Sequence, residues 1–246
     1  MKKITTYLSF LVLMFFLVFL YSFTTGRNGR KTVQNAVVEF YEGDNNFLTH
    51  SMVNKLLIQN NEFVKNQPKR LVNLKIVEAN VKANSYVEKA AVFLTIDGVL
   101  KTVIKQRKPI ARIVNNDATY YVDNYGVKIP LSTNFSARVP LVSGVDSLVE
   151  IKELIQLIKV INADGFLAKE IIAIQKNIQN EYIFTVRSGA YKIVFGSFLN
   201  VDEKFRKLLG FYNKSLADNT IKNYKTINVK YHNQVVCTKQ NQNGKP

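Results

Sequence analysis

The chain has 246 residues, 47% apolar and 21% charged, and its 34 Lys and Arg outnumber 18 Asp and Glu to give a formal net charge of +16. That apolar share can build a core, so a mainly disordered chain is excluded, and the length leaves room for one or two domains. The lone cysteine, Cys237, cannot form an internal disulfide, and the basic residues are scattered without a long Lys/Arg block, so no nucleic-acid partner is expected.

Lys2 and Lys3 precede an almost unbroken apolar run, Ile4 to Phe23, whose only polar members are Thr5, Thr6, Ser9 and Ser22. About 20 such residues span the ~30 Å hydrocarbon core as a helix. No comparable run follows, so a single crossing is expected. A cleaved signal peptide would have a shorter apolar run ending in small residues. Here Phe19, Leu20, Tyr21 and Phe23 carry bulk to the end, so residues 1–26 read as a cytoplasmic tip and an uncleaved transmembrane helix. Lys2 and Lys3 face Arg27, Arg30 and Lys31 across the run, which nearly balances the positive-inside count. The short N-terminal tail then favours a cytoplasmic N-terminus. A lipoprotein is excluded, because Cys237 is far from the N-terminus.

Gly26 to Thr32 reads as a flexible juxtamembrane linker (27–32). A strand follows at Val33 to Tyr41, then a turn cluster at Glu42-Gly43-Asp44-Asn45-Asn46. Met52, Val53, Leu56 and Leu57 fall at helical spacing behind a cap at Thr49 or Ser51, and Gln67-Pro68 ends that helix. Leu71, Leu74, Val77 and Val81 mark a second amphipathic helix. Strands at Ala91 to Ile96 and Val99 to Gln106 are joined by Asp97-Gly98, a strong hairpin signal. The order strand, helix, helix, strand, strand makes an α+β module over 33–112.

A strand-rich β domain with two helices is expected over 113–238. Ala111 to Val114 and Thr119 to Asp123 flank Asn115-Asn116-Asp117, and Asn124-Tyr125-Gly126 turns into Val127 to Leu131. Val149, Ile151, Leu154, Ile155, Ile158 and Ile161 form a helical stripe ending near Ala163-Asp164-Gly165. Strands are expected at Ile171 to Gln175, Tyr182 to Val186 and Tyr191 to Phe195, the last two joined through Arg187-Ser188-Gly189. Asn200 and Glu203 read as a capping box opening a helix with Val201, Phe205, Leu208, Leu209, Tyr212 and Leu216 on one face. Thr226 to Tyr231 and Gln234 to Thr238 close the fold, and residues 239–246 read as a disordered polar tail.

No catalytic constellation stands out. His50 sits at a helix start and His232 in a turn, and Cys237 lies in an apolar strand, where a small buried thiol is the ordinary role. Glu150 with Glu153, and Asp202 with Glu203, lie in first helical turns, where the macrodipole favours negative charge. Gly126 and Gly189 stand without a phosphate-cradling loop, and no His, Cys or carboxylate spacing fits a metal. The chain therefore reads as a binding module with no cofactor, no metal and no small-molecule substrate.

Several motifs, in order behind one span, carry a resemblance. They are Val103-Ile104-Lys105-Gln106-Arg107-Lys108-Pro109-Ile110-Ala111-Arg112, then Tyr121-Val122-Asp123-Asn124-Tyr125-Gly126-Val127, then Arg138-Val139-Pro140-Leu141-Val142-Ser143-Gly144, and finally Ile227-Asn228-Val229-Lys230-Tyr231 with Val235-Val236. Over nearly its whole length the chain resembles the bacterial cell-division family FtsQ, called DivIB in some bacteria. The motifs match its charged-Arg-x-Pro-x-Ala strand end, its D-x-x-G hairpin, its L-P-x-x-x-G element and its closing V-D-L-R-Y hairpin. Asn228 replaces the usual Asp, Val139-Pro140 the usual Leu-Pro, and Tyr182 a frequent Trp. The resemblance implies that the β-α-α-β-β module is a POTRA-like domain and that the large domains lie in the periplasm, anchored in the inner membrane at the division septum. It implies a scaffold whose second domain binds the small bitopic proteins FtsB and FtsL, helping to control septal peptidoglycan synthesis, with further division proteins recruited through the POTRA-like domain.

The sequence places the partner surface on the closing hairpin. A terminal strand presents unpaired backbone groups, and an incoming segment can add to it as a further strand. The residues assigned are Lys230, Tyr231, Asn233, Gln234, Val235, Val236, Cys237 and Thr238, with Lys230 and Lys239 favouring an acidic partner. A POTRA-type accessory of protein transport or outer-membrane assembly is the alternative, although tandem modules or a barrel would then be expected. A membrane-anchored peptidoglycan hydrolase would need the catalytic set that is missing.

Overall fold

A computed structural model describes residues 2–41, 47–59, 62–115 and 118–240. The chain divides into two compact units, Met1–Arg107 and Lys108–Pro246.

The first unit opens with helix α1 (Lys2–Arg30). Its stretch Tyr7–Arg30 is long and apolar enough to cross a membrane, and none of it is buried in the protein. A long helix that is apolar all round and covered by no protein fits a membrane span. The expected linker is not flexible throughout, because the helix continues to Arg30. Its end is held by the chain beyond it: the Lys31 N–H donates to Asn28 O, and Lys31 O accepts from Lys69 N at 2.8 Å.

Behind α1 come β1 (Asn35–Phe40), α2 (His50–Asn54), β2 (Ile58–Gln59), β3 (Glu62–Phe63), α3 (Leu74–Lys82), β4 (Val87–Leu94) and β5 (Val99–Gln106). The sheet runs β1-β5-β4, with β1 parallel and β4 antiparallel to β5. The expected turn at 42–46 lies outside the described residues. Thr49 caps α2 by accepting from Met52 N, but this helix lasts five residues. Leu56 and Leu57 instead lead into the β2–β3 hairpin, which competes for the same stretch of chain. Asn73 caps α3 by accepting from Lys75 and Ile76 N–H. Val77 and Val81 of α3 pack with Val38, Val53, Leu57, Leu100 and Ile104 in one core. Leu71 falls off the expected stripe, because it ends a 3-10 turn (Lys69–Leu71) and is 58% exposed.

The second unit contains β6 (Pro109–Val114), β7 (Thr119–Asp123), β8 (Lys128–Ile129), β9 (Leu141–Ser143), α4 (Leu148–Ala163), α5 (Leu167–Glu170), β10 (Ile171–Lys176), β11 (Tyr182–Val186), β12 (Lys192–Gly196), α6 (Val201–Ala217), β13 (Tyr224–Asn228) and β14 (Val236–Lys239). Nine strands form one sheet in the order β14-β13-β12-β11-β10-β9-β6-β7-β8. The division between units falls at Arg107/Lys108 rather than 112/113, because β6 pairs entirely with β7 and β9. Asp123, almost fully buried, accepts from Tyr125 and Val127 N–H and so builds the tight turn into β8.

Helices α4 and α6 pack on one face of this sheet. Ile151, Leu154, Leu157, Ile158 and Ile161 of α4 share a core with Phe205, Leu208 and Tyr212 of α6 and with alternate strand residues Ile174, Phe184, Ile193, Phe195 and Ile227. Val149, expected on the α4 stripe, is 67% exposed in the first turn. The capping box sits at α4 instead of α6: Ser147 accepts from Glu150 N, and Glu150 reaches back to Ser147 N. Asn200 adopts a left-handed conformation with φ +52° and makes no side-chain cap. Lys239 belongs to β14, and Gln240 N donates to Asn223 O, so the expected tail is shortened at its start. Residues 241–246 lie outside the described part.

Gly144 closes the V-P-x-x-x-G element for a steric reason. Its φ is +74°, and a β-carbon there would lie 2.0 Å from Lys176 O. Gly144→Ala combines left-handed strain with a backbone clash, and we expect a loss of at least about 2 kcal/mol. This amounts to roughly 4–8 °C in Tm by circular dichroism.

The Glu150 carboxylate accepts from Ser147 N, Asp146 N and the Lys176 ammonium at 2.9–3.0 Å. These bonds, the Ser147 amide first, lower its pKa from 4.5 to about 2. Its contribution to stability is therefore full above about pH 4.5 and lost as the pH falls toward 2. We expect Glu150→Gln to lower stability near neutral pH and to flatten the acid limb of a pH–Tm profile between those values.

Candidate partner interface

Helix α6 decides the direction of the strand after it. It carries the chain across the sheet face, so β13 returns parallel to β12, with Ile193 opposite Ile227 and Val194 opposite Asn228. Val229 N donates to Val194 O at 3.0 Å. Backbone polar groups alternate sides along a strand, so Ile227 and Val229 face β12 while Thr226 and Asn228 face β14. Strand β14 runs antiparallel with Asn228 opposite Val236, Ile227 opposite Cys237 and Thr226 opposite Thr238. Val236 and Thr238 therefore spend their N–H and C=O groups on β13. The inward bond of Gln240 N to Asn223 O, two residues beyond Thr238, follows the same alternation.

The peptide groups of Val235, Cys237 and Lys239 consequently point away from β13. Among the described residues, β14 is the terminal strand, and none pairs with this outer edge. The side chains divide the other way. Val235 and Cys237 are half-buried against the core, whereas Val236, at 43% exposed, and Thr238 face solvent.

The other assigned residues lie in the turn before β14. Tyr231 and Gln234 are exposed, and Asn233 supplies the reversal with φ +55°. The Tyr231 carbonyl accepts from the Lys207 ammonium, which ties the turn to α6. Lys230 is committed elsewhere: its ammonium lies 3.2 Å from Glu181 Oε1, before β11. It is thus a structural ion pair, and the exposed cation on the strand itself is Lys239.

Chemistry at this edge is limited. Burial raises the pKa of the Cys237 thiol, and a thiolate is the form needed of a nucleophile. His232 is 76% exposed, with Nδ1 3.5 Å from Glu203 Oε1. No hydrogen bond joins it to Cys237 among the described residues. No group of three or more His, Cys, Asp or Glu side chains is placed to hold a metal among them either.

Two internal networks gather polar groups whose partners the sequence reading did not identify. Lys176, nearly buried, contacts Glu150 at 3.0 Å and Glu153 at 3.7 Å, and the Tyr182 hydroxyl donates to Glu153. Buried Glu170 accepts from Ser188 and Tyr191, and the Tyr191 and Tyr212 hydroxyl oxygens lie 2.9 Å apart in a further hydrogen bond. Burial foremost pushes the Tyr182, Tyr191 and Tyr212 phenols up. These groups are mutually satisfied within the core.

No curated protein matches the chain. Among solved structures it is similar to the major extracytoplasmic domain of the trans isomer of the bacterial cell division protein DivIB from Geobacillus stearothermophilus. That likeness has 15% identity and a TM-score of 0.34, over 47% of this chain and 98% of that one. The family model described as "FtsQ/DivIB, C-terminal related" matches residues 108–238, from the start of the second unit to β14. With more than half of its residues matched, the chain belongs to the FtsQ/DivIB family and has the role in cell division that this membership carries.

Proposed function

We propose that this protein is a non-enzymatic scaffold of the division machinery, held in the inner membrane by α1 with its N-terminus in the cytoplasm and both compact units in the periplasm at the septum. Its second unit, folding separately from the first, binds the small bitopic partners FtsB and FtsL. The first unit contacts further division proteins. The observation that carries this reading is the outer edge of β14, where Val235 and Cys237 hold peptide groups away from the sheet. An extended partner segment adds there as a tenth strand, with main-chain bonds supplying affinity. Lys239 favours an acidic segment.

Proline substitution tests this edge, because proline removes a donor and fixes φ. Val236→Pro strikes the ladder to Asn228, and we expect it to destabilise the domain or abolish its fold. Val235→Pro and Cys237→Pro remove outward donors, which edge strands tolerate. These variants should keep the native circular dichroism spectrum and lose binding of the periplasmic region to the partners' extracytoplasmic segments. Normal binding by both folded variants would place the interface elsewhere.

Charge and cell biology supply independent tests. Lys239→Glu should weaken binding several-fold and reduce its salt dependence, as expected of a rim charge. Lys230→Glu would instead set two carboxylates together at Glu181 and lower stability. Depletion in cells should give filaments with unfinished septa, and normal septation after depletion would overturn the scaffold role.

A further inference from the structure

The end of α1 and the 3-10 turn beside it form a basic surface that partner binding at β14 does not explain. We propose that Arg27, Arg30, Lys31 and Arg70 form a collar that binds the anionic phospholipid headgroups of the leaflet from which α1 emerges, with Ile96 entering the same interface. This rests on α1 being a membrane span.

Position follows from helix geometry. Arg27 and Arg30 lie four and seven residues beyond Phe23 on a continuous helix, about 6 and 10 Å along its axis. The headgroup layer adds roughly 5–8 Å to each side of the hydrocarbon core. Arg27 therefore stands at headgroup level, and Arg30 lies just beyond it, where its long side chain, leaning toward the helix N-terminus, reaches back to the same layer. Arg70 is fixed at the same level. Its β-carbon lies 3.6 Å from where a Gly29 β-carbon would be, Lys69 N donates to Lys31 O, and Thr32 bridges Pro68.

Charge and exposure point the same way. Arg27, Arg30, Lys31 and Arg70 are all exposed, and no ion pair is formed by any of them among the described residues. Asp97 is the one acidic residue in the adjoining β4–β5 turn. The helix macrodipole accounts for cations at the end of α1, but it gives no reason for Arg70 on a separate segment. Lys69 has a positioning role. Its ammonium donates to Asn28, Thr95 O and Ile96 O, and so it holds the β4–β5 turn against the helix end. Ile96 projects from that turn at 80% exposure. Basic side chains around an exposed aliphatic one match an interface that is apolar beneath and anionic above.

The test uses the full chain in lipid nanodiscs. Ile96→Cys, in a Cys237→Ser background, carries an environment-sensitive fluorophore. Discs are of phosphatidylcholine alone or mixed with phosphatidylglycerol. We expect a blue shift and several-fold stronger quenching by headgroup spin labels in the mixed discs. Raised salt should reverse both. A variant with Arg27, Arg30, Lys31 and Arg70 all changed to Gln should lose both, and its native circular dichroism should persist because none of the four is buried. Equal emission in the two lipids, or a full response from the Gln variant, overturns the collar. Co-elution with discs separates the two readings. A chain that stays in discs with an unresponsive probe refutes the collar alone. A chain that does not enter discs refutes the span and the collar with it.

Discussion

The packing of α6 on the sheet is the interaction on which the candidate interface depends. Phe205 lies 4.9 Å from Phe195 and 6.2 Å from Phe184, ring centre to ring centre, and Leu208 and Tyr212 continue the contact. Each such side chain contributes about 1.5–3 kcal/mol when fully buried, so the helix is pinned along most of its length. A pinned crossover obliges β13 to run parallel to β12, and that fixes which peptide groups of β13 remain for β14. The outward set at Val235 and Cys237 is then determined by strand alternation alone. The exposed edge is a consequence of an apolar stripe more than 20 residues earlier in the chain.

Much of this was legible because it rests on periodicity. The apolar run of α1, the stripes of α4 and α6, the Asp97-Gly98 turn and the terminal place of the closing strand all follow from local pattern. The hidden parts depend on partners distant in sequence. Three-residue β9 is a strand only because β6 and β10 flank it in parallel, and no local signal distinguishes it from a loop. Asn200-x-x-Glu203 and Ser147-x-x-Glu150 spell the same capping pattern. Asn tolerates left-handed φ better than Ser does, and at Asn200 that conformation takes the side chain out of capping range. Lys230 read as a free interface cation because Glu181 is 49 residues away. The closing hairpin was readable from the sequence, but which of its residues turn peptide groups outward required the register.

Strongly shifted titratable groups often mark catalytic sites. Here they mark structure. Glu150 is held low by two backbone amides and Lys176, and the same lysine gathers Glu153, whose other contact is the Tyr182 hydroxyl. Every member has a partner of opposite sign or a hydrogen bond, and Lys176 and Tyr182 are sealed from solvent. The Glu170–Tyr191–Tyr212 chain is closed in the same way. A buried polar network that is fully satisfied favours one arrangement of the elements around it. The first joins α4 to β10 and β11, and the second joins α5 to α6.

The sheet edges differ in how far they are protected, and the difference singles out β14. A free edge invites unwanted pairing, and proteins blunt it with short strands, proline or covering groups. At the far end of the nine-stranded sheet, β8 is two residues long and runs into Pro130, which has no N–H to offer. In the first unit, β4 is a terminal strand, yet Val92 N already donates to the Glu78 carboxylate of α3. At β14 the described residues give slight protection: one lysine at its end, and a solvent face carrying Val236 and Thr238. An unguarded strand carries a standing cost in aggregation that a bound partner would remove, which is the physical ground for the proposed guest at this edge. The half-buried Val235 and Cys237 side chains keep that edge straight from the core side, so a guest strand would meet a preformed ladder and lose entropy only in its own chain.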